Sequence, residues 1–141
     1  MNLSDVVDVA ASGLVAQRAR LAVTASNLAN SHATRTPEGG PYQRRDPVFR
    51  AEPVAGPFGG ALERAVQRVD VTRVAVDPRG PVPRFAPGHP DADEEGYVNF
   101  PRVNPVEEMT NMLSASRAFE TNLLTIRKVR QMAQALNEIG R

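Results

Sequence analysis

The chain contains no cysteine and only two histidines in 141 residues. Without cysteine there is no disulfide, no thiolate metal site and no thiol nucleophile, and either a reducing or an oxidising compartment is compatible with that. His32 and His89 both sit in polar, turn-like surroundings, and no Ser/His/Asp spacing, P-loop or GxGxxG accompanies them, so no enzymatic chemistry, cofactor or metal is expected. Charge of one sign is also missing. Lys and Arg total 17 against 16 for Asp and Glu, a net +1, whereas a nucleic-acid binder shows a basic excess. No apolar run approaches the roughly 18 residues of a membrane-spanning helix. The opening Met1–Asp5 has neither a basic n-region nor an apolar h-region, so it does not read as a Sec signal peptide and any export needs another route. Aromatics make up only 5%, and six of the seven lie between Tyr42 and Phe100.

What the chain does have is a strict partition of helix breakers. Of 12 prolines, 11 fall between Pro37 and Pro101, with eight of the ten glycines. Because these residues interrupt helices, two uninterrupted amphipathic helices are predicted, over 3–30 and 105–139, around an irregular middle. In the first, Val7, Leu14, Leu21 and Leu28 recur every seven residues, and Leu3, Ala10, Gln17 and Thr24 fill the alternate positions. That 4-3 spacing is a coiled-coil seam. In the second, the apolar stripe reads Met109, Met112, Ser116, Phe119, Leu123, Ile126, Val129, Ala133 and Leu136. The fold class is therefore α+β, a coiled-coil-like helix hairpin with a small β-containing middle. Residues 1–33 and 103–141 form one discontinuous helical unit, and 34–102 form the Pro/Gly-rich segment. The length fits one domain or one domain with appendages.

Local signals refine this. Ser4 is placed as the first N-cap with Asp5 in the first turn, and the helix is expected to fade near Asn30. Gly13 reads as a notch for a close neighbouring helix, since Ala10, Ala11 and Ala16 lie nearby. Asn104, Pro105 and Glu107 form an N-cap, N1 and capping-box series. Arg127, Lys128 and Arg130 stand toward the helix end with Gly140 at C′. Tyr42–Phe49 is one candidate strand and Val69–Val76 another. The valines of the second change from odd to even positions between 71 and 74, which would swap faces unless a bulge intervenes. Ala61–Gln67 is compatible with strand or helix.

Three motifs suggest chemistry and do not sustain it. His89-Pro90-Asp91 reproduces the J-domain tripeptide, but no helical pattern flanks it, and it reads as a proline-rich turn. Asp91-x-Asp93-x-Glu95-Gly96 opens like an EF-hand loop, but the twelfth position, which should be a bidentate Glu, is Arg102. It reads as a solvated acidic loop. Arg44-Arg45 reads as a solvated strand edge rather than an anion site.

Other residues carry a resemblance. Ser12-Gly13-Leu14-x-Ala16-Gln17-Arg18 and Ser26-Asn27-Leu28-Ala29-Asn30 resemble the N-terminal signature of bacterial flagellar rod, hook and hook-associated proteins. The run Thr34–Tyr42, with Pro37, Gly39, Gly40 and Tyr42, resembles the proximal-rod branch conventionally given the letter C. So do Tyr97-Val98, the segment Asn104–Met109 with Asn104 and Glu107, and Ala115–Asn122. Residues 50–66 match poorly. The resemblance implies a structural subunit of the basal-body rod, exported through the flagellar type III apparatus. Its terminal helices would stack around a channel, against copies of itself, neighbouring proximal and distal rod proteins and a basal-body adaptor, with no nucleic acid and no membrane insertion. The rod spans the periplasm.

The physics points the same way. Two long helices with one apolar stripe each cannot cover both stripes alone, and a non-closing head-to-tail contact builds a filament. The expected subunit-interface residues are Leu3, Val7, Leu14, Leu21, Leu28, Met109, Met112, Phe119, Leu123 and Ile126. The alternative is a non-flagellar helical adaptor that docks its end helices in a partner's groove.

Overall fold

The computed structural model describes residues 3–54 and 66–139. Helix α1 (Leu3–Ala29) and helix α2 (Pro105–Ile139) pack against each other as an antiparallel pair. Two antiparallel hairpins lie between them in sequence: β1 (Arg45–Pro53) with β2 (Gln67–Val76), and β3 (Val82–Phe85) with β4 (Tyr97–Phe100). At 27 and 35 residues, the helices are about 40 and 50 Å long. No described helix is long and apolar enough to cross a membrane.

The helix seam is built from small and polar residues. Ala10 and Thr24 are buried at its centre on α1, while Val7, Leu14, Leu21 and Leu28 are half-buried at its flanks. On α2 the covered line is Glu108, Ala115, Ile126 and Val129, with Met112, Phe119 and Asn122 half-buried. The sequence stripe was therefore displaced by one position at three points. Glu108, Ala115 and Asn122 occupy the places assigned to Met109, Ser116 and Leu123, and Met109 is 52% exposed. Around Asn122 the cause is the closeness of the helices, whereas Glu108, the largest fully buried side chain, owes its place to its polar partners. A Cβ on Gly13 would lie 2.7 Å from Asn122 Nδ2, so Gly13 is the expected notch and bulky residues are driven outward from it. Burying Ile126 and Val129 contributes about 1.5–3 kcal/mol each.

The helix ends depart from expectation in two ways. The helix α1 begins at Leu3, so Ser4 lies inside it rather than capping it; Asp5 does stand in the first turn. In α2, Arg127, Lys128 and Arg130 precede the end at Ile139 by two or more turns, and no basic residue occupies the last turn. The dipole favours cations only within that turn. Gly140 lies outside the described residues. The α1 C-terminus is as expected: the Asn30 amide and its Nδ2 both donate to the Ser26 carbonyl, at 3.1 and 2.9 Å.

The β1–β2 hairpin lies along α1, where the Val69 amide donates to Ser12 Oγ at 3.0 Å. Val48 pairs with Arg73 and Phe49 with Val71, leaving Thr72 as the extra residue. Of the two outcomes the valine shift left open the bulge is the one observed, and Thr72 Oγ1 donates to the Val48 carbonyl at 3.0 Å across it. β1 starts at Arg45 rather than Tyr42. Its prolines, Pro47 and Pro53, are tolerated because, among the described residues, β1 pairs with β2 alone. Of the ambiguous Ala61–Gln67, residues 61–65 lie outside the described residues and Gln67 opens β2. The β3–β4 pair was not anticipated. Two prolines around Val82 mask β3, and its four residues are too few to show a period.

Candidate functional site

The chain's most ordered chemistry is a polar junction where the end of α1, the start of β1 and the start of α2 converge. Asn27 is at its centre, 1% exposed. Its Nδ2 donates to the Arg45 carbonyl at 2.8 Å and to Glu108 Oε2 at 3.1 Å. Its Oδ1 accepts from Tyr42 OH at 2.9 Å and from the Arg45 amide at 3.0 Å. An amide side chain offers two donors and two acceptor sites, and all four are used. Toward Arg45 the Asn27 side chain both donates and accepts, as a neighbouring strand would, so β1 begins at the residue this pairing holds.

Glu108 is also 1% exposed, and its second oxygen accepts from Arg44 Nε at 2.7 Å. A buried carboxylate is strongly disfavoured unless a cation and hydrogen bonds meet it, and here both oxygens are met. Arg44 is 12% exposed and also bonds Asp46. Burial works against its charge, but the hydrogen bonds and attraction of Glu108 and Asp46 outweigh that and raise its pKa. The solvated-edge reading of Arg44 is therefore corrected, because its charge is consumed inside the junction. Arg45 is exposed, with its guanidinium 5.7 Å from the Tyr42 ring centroid.

The loop carrying Tyr42 is shaped by two consecutive glycines. Gly39 and Gly40 have φ of 91° and 74°, a region that residues with a Cβ rarely enter. The Thr36 amide closes the turn on the Gly40 carbonyl at 2.9 Å, and the Tyr42 amide bonds the Ala33 carbonyl at 2.9 Å. That return places the Tyr42 ring over α1. Asp91 ties the same loop to the β3–β4 connection, accepting from Thr34 Oγ1 at 2.8 Å and pairing with Arg35 at 2.7 Å. Asp93 accepts from the Glu95 and Tyr97 amides of its own loop, and His89 Nδ1 accepts from the Asp91 amide at 3.1 Å. The two motifs that imitate a J-domain and an EF-hand are thus turn residues and inter-loop ties.

A cleft of about 230 Å³ opens beside the junction, bordered by Tyr42, Arg44, Asp77, Arg79 and Arg102. At its rim Arg79 clamps Asp77 with Nε at 3.0 Å and Nη2 at 2.6 Å, and Arg102 Nε donates to the Gly80 carbonyl at 2.9 Å. The Arg79 bonds hold the Asp77 carboxyl at about 2, below its ordinary 3.8.

Asn27, Tyr42 and Glu108 of the junction lie in segments that carried the resemblance, while Arg44 and Arg45 do not, and comparison with known proteins decides what that means. Residues 8–35 match the family model "Flagella basal body rod protein" and residues 94–139 match "Flagellar basal body rod FlgEFG protein C-terminal". The chain is 39% identical to the flagellar basal-body rod protein FlgC of Borreliella burgdorferi, covering 94% of this chain and 93% of the relative. It is 36% identical to the FlgC protein of Salmonella typhimurium, again over 94% and 93%. For the FlgC protein of Aquifex aeolicus the figures are 37% identity over 87% and 86%. The chain belongs to the flagellar basal-body rod protein FlgC family.

This rod subunit is a structural protein and not an enzyme. Of its signature residues, Ser26, Asn27 and Tyr42 meet in the junction, Asn30 closes α1, Leu28 is half-buried and Ala29 and Pro37 are exposed. Asn104 caps α2 by accepting from the Val106 amide at 3.1 Å. Glu107 is exposed and makes no hydrogen bond back to Asn104, so the capping box is half-formed. Sequence reasoning missed Arg44 and Glu108. The signal was there: Glu108 begins the heptad line Ala115, Asn122, Val129, and an acidic residue on a seam line calls for a buried cation.

Proposed function

We propose that the chain is a proximal-rod subunit that assembles helically through α1 and α2. In this reading the paired helices enclose the export channel and transmit torque, while residues 34–102 form an outer segment. Its partners are further copies of itself, neighbouring proximal and distal rod proteins and a basal-body adaptor, and it reaches the rod across the periplasm through the flagellar type III apparatus. Support comes from the outer face of α2. Val106, Leu113 and Leu124 are 72, 60 and 55% exposed on the side facing away from the seam, and large apolar side chains left open along one helix face suit a contact surface. Of the anticipated interface residues, Met109 lies beside that line. Val7, Leu14, Leu21, Leu28, Met112, Phe119 and Leu123 keep part of their surface open, and Ile126 is covered by the chain's own seam. The Leu3 side chain lies outside the described ones. Leu113→Asp and Leu124→Asp, each made in motile cells, test the reading. Wild-type helix content with no completed rods and no swimming is expected, and normal swimming by both variants would overturn it.

A further inference from the structure

The heptad pattern alone does not fix how α1 lies on α2. Apolar and small residues repeat at seven-residue intervals on both helices, so a slide of one heptad rematches most of the seam. We propose that the Asn27–Glu108–Arg44 junction is a register pin that selects one of these alignments and fixes the direction in which the β1–β2 hairpin leaves the helix pair.

Two pairs define the observed alignment: Asn27 with Glu108, and Gly13 with Asn122, fourteen residues apart on each helix. Sliding α2 one heptad toward the start of α1 sets Glu108 opposite Arg20, which can meet its charge. It leaves Asn27 opposite Pro101, before the helix begins, and removes the carboxylate from Arg44. The opposite slide carries Glu108 beyond the end of α1 altogether. In either case a buried amide or charge loses its partner, a penalty the apolar layers do not impose. Directional control follows from the same side chain. Both backbone groups of Arg45 are bound to Asn27, so the first residue of β1 is aimed from the seam itself. The pin acts within one chain, whether or not the rod assembles as proposed above.

The natural absence of cysteine makes the alignment directly readable. Gly13→Cys with Asn122→Cys reports the observed register. Val6→Cys with Asn122→Cys reports the slipped one, because those positions are otherwise offset by about 10 Å along the axis, beyond the roughly 7 Å Cα limit of a disulfide. With the junction intact, oxidation should close only the first pair. In Asn27→Leu/Arg44→Met/Glu108→Leu, which removes the three polar side chains of the pin together and leaves no buried orphaned charge, the slipped disulfide should rise at least about tenfold while helix content is kept. Should that variant lose its helix content, Glu108→Gln, which keeps the volume and removes only the charge, should raise the slipped product by a smaller factor. Slipped disulfide in the otherwise native chain would overturn the proposal, as would its absence from both junction variants.

Discussion

Asn27 and Glu108, 81 positions apart in the chain, meet at 3.1 Å with almost no exposure to solvent. Removing the amide therefore does more than delete a hydrogen bond. Asn27→Ala leaves the Arg45 backbone and one Glu108 oxygen without partners, and each orphaned buried group costs about 1–3 kcal/mol. The expected loss of unfolding free energy is about 3 kcal/mol or more. Asn30→Ala, in the same signature, removes one local bond to the Ser26 carbonyl and should cost about 1 kcal/mol. Urea unfolding of the two variants reads the contrast, and equal losses would show that the junction is not the stability centre.

Gly13 and Asn122 give a second, opposite case. A glycine in a helix interior costs about 1 kcal/mol relative to alanine, so Gly13→Ala should stabilise α1. The added methyl, however, meets Asn122 Nδ2 at 2.7 Å. In the native background the gain should be lost to this contact, and in an Asn122→Ala background it should reappear at about 1 kcal/mol. A double-mutant cycle by thermal or urea unfolding measures the coupling, and additivity of the two changes would remove the notch.

How much of this was legible in the sequence depends on the range of the forces involved. The helices, the Asn104 cap, the Gly13 notch and the Thr72 bulge follow from local periodicity and turn chemistry, and the structure shows each of them. The face of α2 that turns inward does not follow from hydrophobicity. Met109 and Leu123 are more apolar than Glu108 and Asn122, yet the latter lie nearer the seam centre, because helix proximity selects size and Arg44 neutralises Glu108. Arg44 arrives from a loop 64 residues before its partner, and nothing in the local pattern encodes that meeting.

Asp77 predicts a pH dependence. Its folded carboxyl titrates at about 2, below its ordinary 3.8, so it binds a proton less readily folded than unfolded. The stabilisation from the Arg79 clamp is fully present above about pH 4 and is lost as pH falls through about 2. The melting temperature of Asp77→Asn should therefore lie below that of the native chain at pH 5, and the gap should close by pH 2. Because the Arg79 guanidinium is exposed, added salt should also narrow it. A gap that is unchanged across this range would mean that the clamp does not act in solution.

Leu124 and Ile126 are two residues apart on α2 and separate folding from assembly. Ile126 is 9% exposed in the seam against α1, whereas Leu124 is 55% exposed on the outer face. Ile126→Asp buries an unpaired charge in the helix pair and should cost more than about 4 kcal/mol. That would leave little folded chain to enter a rod. Leu124→Asp touches no intramolecular layer and should change the stability of the isolated chain by no more than about 0.5 kcal/mol. Its effect should appear only where another subunit has to cover α2. The two variants should therefore both be non-motile for different reasons, one with reduced helix content by circular dichroism and one with native content but no incorporation into isolated basal bodies. Incorporation of Leu124→Asp at native levels would place the neighbouring subunit elsewhere on this surface.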